Sequence, residues 1–255
     1  MSSPIDPPSL FERALSWSHF VLSAALVATA LDLSVRRPVL GLVLAELALV
    51  LFIPRVIQRR KLRRVLRSGN VDAVLAAWES SASRVPHPET MAPLIAATAF
   101  AAHGLAERAR RALSLARRGP VWDAAIEQRL VVETLLSVFD GNPEHAVETA
   151  ESLEGLPLPP SFLLRGRVAK LRAAMGAFAR AFAHRASSED RGTLISAAKD
   201  NPLVYWAMRY AAAVVCIDRG EPTEAARLLE DAPAWPEESA FAAFHQEIAL
   251  RAVSG

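Results

Sequence analysis

The chain of 255 residues has a single cysteine, Cys216. One thiol excludes an internal disulfide, and its place in the apolar run 211–217 offers nothing to activate it, so Cys216 reads as a small buried residue. Lysine is nearly as scarce. It occurs only at Lys61, Lys170 and Lys199, so arginine carries almost all the positive charge. With the abundant alanine, this points to a GC-rich bacterial genome. Long alternating apolar and polar runs are also missing, which argues against a sheet protein. So are the common catalytic signatures. The chain has no P-loop, no G-x-G-x-x-G after a strand, no H-E-x-x-H and no G-x-S-x-G. Six histidines are scattered without metal-ligand spacing and read as caps, turns or surface residues. No catalytic residue, metal or cofactor is expected.

The sequence pI near 9.0 hides an uneven charge. Residues 1–67 hold 10 Lys/Arg and 4 Asp/Glu, while residues 68–255 hold 19 and 23. Basicity confined to one end removes most of the compositional case for a nucleic-acid partner, and none is expected.

Two apolar stretches stand out, Ala14–Val35 and Pro38–Ile53, separated by Arg36–Arg37. A membrane span needs about 20 mostly apolar residues. The first stretch has that length, and Val56 and Ile57 extend the second. These residues are expected to form a transmembrane helical hairpin over 14–54, after a tail at 1–13. A basic collar follows in a juxtamembrane helix over 55–67: Arg55, Arg59, Arg60, Lys61, Arg63, Arg64 and Arg67. Such residues are drawn to anionic lipid headgroups. Basic residues favour the cytoplasmic side. The expected placement is therefore a bacterial inner membrane, with two spans and both termini cytoplasmic. Glu46 falls about 12 Å along the second run, near mid-membrane. It is expected to make a polar contact there, either with the first helix or with a second copy in a homo-oligomer.

From residue 68 onward helical period dominates. Asn142–Pro143 and Asn201–Pro202 have the pattern of an N-cap followed by proline at the first helical position, and Pro88 and Pro222 suit the same place. The spacing predicts helices over 70–82, 88–103, 106–118, 121–139, 143–154, 161–185, 187–199, 201–218, 222–231 and 236–252. Gly104, Gly141 and Gly220 each end one helix and open a turn into the next. Five residues after each comes alanine (Ala109, Ala146, Ala225), nine after come Leu113, Ala150 and Leu229, and twelve after come Ala116, Leu153 and Ala232. A closing proline follows at Pro120, Pro157 and Pro236. Gly69–Asn70 begins a degenerate earlier copy. The glycines are 35, 37 and 79 residues apart, and the last interval holds two units with one glycine missing.

This pattern resembles the tetratricopeptide repeat family over about residues 88–235, although the family's aromatic near the start of the first helix is not evident. The resemblance implies helical hairpins stacked into an α-solenoid over 68–255, and a protein-binding role. No peptide-clamping residues carry over. Arg108, Arg110, Arg111, Arg117 and Arg118, all on one short helix, are the candidate docking residues for an acidic partner or for lipid headgroups. Hairpin, collar and repeats together give an expected all-α, membrane-anchored adaptor or scaffold. The alternatives are an accessory subunit of a membrane complex held through the hairpin and, third in order, an enzyme of unrecognised type.

Overall fold

Proline and asparagine set the helix starts. In the computed structural model, which describes residues 61–82 and 85–254, helices open at Pro88, Pro143 and Pro222. The Asn142 side chain accepts from the His145 N–H, and Asn201 accepts from the Leu203 N–H. Both are helix-start caps of the expected kind.

After a helical stretch at 61–67 come α1 (Val71–Ala82), α2 (Pro88–Ala102), α3 (Ala106–Ala116), α4 (Ile126–Phe139) and α5 (Pro143–Glu154). These are followed by α6 (Phe162–Phe182), α7 (Asp190–Asp200), α8 (Tyr205–Asp218), α9 (Pro222–Leu229) and α10 (Ala240–Ser254). A short 3-10 turn at Pro202–Val204 leads into α8.

Four helix ends share one geometry. Gly104, Gly141 and Gly220 have φ of 74°, 70° and 73°. The fourth position, without its glycine, is His184 at φ 56°. At each turn two N–H groups reach back. Gly104 donates to Ala101 and Leu105 to Phe100; Gly141 donates to Val138 and Asn142 to Ser137. His184 donates to Ala181 and Arg185 to Arg180; Gly220 donates to Ile217 and Glu221 to Cys216. This is the Schellman arrangement, which satisfies carbonyls that a helix end leaves open. It makes four antiparallel hairpins, α2/α3, α4/α5, α6/α7 and α8/α9. The alanines one turn into α3, α5 and α9 (Ala109, Ala146, Ala225) are fully buried, as close helix approach requires.

The first helix of each hairpin packs on the first helix of the next, and α8 also reaches back to α2. α8 is apolar nearly all round, and Trp206, Met208, Tyr210, Val215 and Cys216 are buried on it. Such a helix belongs at a centre rather than on a surface. The chain then closes on itself. Ser239 Oγ donates to the His103 carbonyl at 2.8 Å, and the Ala240 N–H donates to Gly104 at 2.9 Å. Phe241 stacks on Tyr210 with centroids 4.6 Å apart. Trp206 Nε1 donates to the Arg67 carbonyl at 2.8 Å. Residues 62–255 form one unit.

Among the described residues no helix is long and apolar enough to cross a membrane. α6 has the length, 21 residues, but carries Arg165, Arg167, Lys170, Arg172 and Arg180. The expected hairpin over 14–54 lies outside the described residues. The fold class is therefore corrected to an all-helical array that closes on itself, with no membrane-spanning helix in the described part. The expectation it corrects is a transmembrane hairpin followed by an α-solenoid of tetratricopeptide-like hairpins. The inner-membrane placement with two spans and cytoplasmic termini loses its structural basis with the hairpin.

Candidate functional site

Where α10 crosses the first helices of the hairpins, it fills only part of the space they leave. Phe244 packs on Phe182 at 5.0 Å and on Phe139 at 6.3 Å, and Ile248 is buried beside them. Beyond these residues a pocket of about 360 Å³ remains open. Val138 of α4, Phe182 of α6, Val214 and Ile217 of α8, and Phe244 and Ile248 of α10 supply its apolar lining. Gly141 and Pro143, at the second hairpin turn, form part of its edge.

The rest of the lining is polar, and two pairs stand there. His184 Nδ1 lies 2.9 Å from the Asp218 carboxylate, linking the ends of α6 and α8. Arg251 and Glu247 pair one turn apart on α10. The left-handed turn at His184 thus places an imidazole at the pocket where the other turns have glycine. An apolar floor with a few charged groups suits one or two apolar side chains of a polar segment.

The groups with displaced pKa values lie elsewhere. Burial pushes the Cys216 thiol up, keeping it an unreactive apolar neighbour. Burial also pushes the Tyr210 hydroxyl up, against the Trp235 Nε1–H that donates to it at 2.8 Å. His103 is 1% exposed, and burial lowers its pKa although Nδ1 hydrogen-bonds the Ala99 carbonyl at 2.8 Å. Asp190 accepts from Arg180 and from the Ser187 N–H. None of these four lines the pocket. Among the described residues no group of His, Cys, Asp and Glu could hold a metal ion.

The residues singled out in the sequence are dispersed. Glu46, Arg55, Arg59 and Arg60 lie outside the described residues. Lys61, Arg63 and Arg64 are exposed, and Arg67 is half-buried against Tyr205. Only Arg108, Arg110 and Arg111 lie on α3, which ends at Ala116; Arg117 caps it and Arg118 lies in the turn beyond. Arg108 pairs with Asp72 at 2.7 Å and approaches Glu238 at 3.9 Å, while Arg110 pairs with Glu107 and Asp140. Both join neighbouring elements. Arg111, Arg117 and Arg118 are exposed.

Sequence reasoning missed the pocket, since its lining comes from four helices and a turn far apart in the chain. It also missed His103 as a buried residue and Arg172 as a buried cation. Arg172, 4% exposed, pairs with Glu127 at 3.2 Å and donates to the Leu156 and Pro157 carbonyls. Glu127 lies 45 positions away, so no local pattern announces the pair.

Comparison with protein-family models, with curated proteins and with solved structures gives no match. The repeat therefore rests on the chain's own caps and spacing.

Proposed function

We propose that this protein is a non-catalytic helical-repeat interaction module, an adaptor or scaffold that holds a segment of a protein partner at the pocket between α4, α6, α8 and α10. The observation that carries this reading is the pocket itself: about 360 Å³ of mainly apolar space left open where stacked hairpins meet the final helix. A buried core normally leaves no such volume unfilled. The resemblance of the Gly–Ala–Leu spacing to tetratricopeptide repeats supports the same reading, since repeat hairpins present surfaces for other proteins. The groups with displaced pKa values are occupied in packing and ion pairs away from the pocket, which favours binding over catalysis.

The test fills the pocket without disturbing the closure. Val214 is only partly buried, so Val214→Trp adds bulk at the pocket. Wild type and variant are used as bait side by side, with far-UV circular dichroism to check that both fold. The expected result is a protein retained stoichiometrically by wild type and lost with Val214→Trp. The same captured set with both baits means the pocket is not the binding site.

A further inference from the structure

Two arginines of this chain lie on aromatic rings with a carboxylate nearby. Arg108 stands 4.4 Å from the centroid of Phe100 and reaches Asp72 at 2.7 Å. Arg129 stands 4.2 Å from the centroid of Trp122 with Asp123 at 3.8 Å. Tyr205 breaks the pattern. It carries two guanidiniums, Arg67 at 4.3 Å and Arg209 at 5.2 Å from its centroid. Neither has an ion-pair partner among the described residues. Arg209 donates through Nη1 to the Tyr205 hydroxyl and lies 5.6 Å from the Trp206 ring. The Nε atoms of both arginines are buried and lack an acceptor, as does that of Arg129, so what sets Arg67 and Arg209 apart is the missing carboxylate.

A ring face attracts a cation but does not accept its N–H groups well. Two like charges on one ring repel each other, and a buried donor without an acceptor is costly. The surroundings add to the positive field. Arg63 and Arg64 precede Arg67 by four and three residues, on the same helical face, and both are exposed. Tyr205 opens α8, so the positive end of that helix dipole also lies here. Among the described residues no Asp or Glu pairs with any of these four arginines. The site shares no residue with the pocket described above.

We propose that Arg67 and Arg209, arranged around Tyr205, form a binding site for a phosphate group, carried either as inorganic phosphate or as a small phosphate monoester. Guanidinium forks match phosphate oxygens geometrically. Four arginines without an acidic partner among the described residues favour a dianion over a single carboxylate. The bound oxygens would accept from guanidinium N–H groups and screen the repulsion between Arg67 and Arg209. Trp206, against Arg209, would report the event.

The test titrates the full chain with inorganic phosphate and, in parallel, with glycerol 3-phosphate, holding ionic strength constant with chloride. Tryptophan emission and phosphorus NMR linewidth are read together. The expected result is saturable, one-site binding that weakens at least about tenfold in Arg67→Gln and in Arg209→Gln. Arg129→Gln, on a ring with its own carboxylate, should bind like wild type. Arg67→Lys keeps the charge but not the fork and should recover only part of the affinity. Thermal midpoints establish that each variant folds. Arg67, at a helix end and half-exposed, keeps the test open if Arg209→Gln does not fold. Tighter binding of glycerol 3-phosphate assigns the ester as the ligand, and tighter binding of inorganic phosphate assigns the free anion. A response that rises without saturation, or that persists unchanged in Arg67→Gln, overturns the proposal.

Discussion

Asp190 accepts two hydrogen bonds from Arg180, at 3.0 and 2.7 Å, and one from the Ser187 N–H at 2.8 Å, while only 3% exposed. Burial by itself raises its pKa. The hydrogen bonds and the charge of Arg180 outweigh burial and hold the carboxyl below its ordinary value of 3.8. A folded pKa below the unfolded one stabilises the fold above the unfolded value, and this contribution is lost as pH falls through the folded value. Asp190→Asn is therefore expected to destabilise the protein by roughly 2–3 kcal/mol at pH 7. The gap between wild type and variant should close toward pH 2. Urea unfolding followed by circular dichroism at several pH values checks this. The three-residue spacing of Ser187 and Asp190 is that of a capping box, and the Ser187 N–H does donate to Asp190. That Arg180, ten residues earlier and across a turn, supplies the charge is not visible, because the turn has no glycine to mark it.

At the scale of elements, each helix end is a local device, and its cost on mutation depends on what the turn faces. Gly104 and Gly141 have nearly the same positive φ. A Cβ on Gly141 would meet nothing within 4 Å, whereas one on Gly104 would lie 2.7 Å from Ser239 Oγ and 3.1 Å from the Ala240 and Phe241 nitrogens. Gly141→Ala should cost only the left-handed penalty, about 1–2 kcal/mol. Gly104→Ala should cost clearly more, because the closing segment must also move. Paired chemical denaturation curves decide this, and equal losses would show that the contact at Gly104 is soft. Helix order was legible in the sequence because caps, prolines and turn glycines act within a few residues. The starts at Pro88, Pro143 and Pro222 fall where the pattern predicts. The start of α4 does not. Residues 121–125 form a turn before Ile126, held by contacts such as the Thr90 hydroxyl accepting from the Val121 N–H, 31 residues away.

At the scale of the molecule, closure sets the energetics. Phe241 is fully buried, stacked on Tyr210 and edge-on to Phe139 at 5.6 Å. An open array would lose only its last helix if this ring were cut away, since each repeat would lean on its neighbours alone. Here Phe241 covers the central helix. Phe241→Ala should cost about 3–5 kcal/mol and keep a single unfolding transition. A two-step curve, with α10 lost first, would mean the final helix is an independent cap. Nothing in the spacing of the turns foretold this closure. The glycine followed five residues later by alanine describes three of the four hairpins, while the return of the chain depends on Trp235, Ser239 and Phe241 meeting residues more than a hundred positions earlier or on α8. Repeat logic predicts neighbours, and these partners are not neighbours.

The contacts that seal the array join residues 136 and 139 positions apart, Ser239 to His103 and Trp206 to Arg67. A chain built this way cannot finish folding one hairpin at a time as it leaves the ribosome. α2 to α9 can emerge and pair locally, but α8 keeps apolar surface exposed until residues 235–241 have been synthesised and have swung back. Long-range closure slows the final step relative to local helix pairing. During that interval the nascent chain offers this apolar surface to any chaperone within reach.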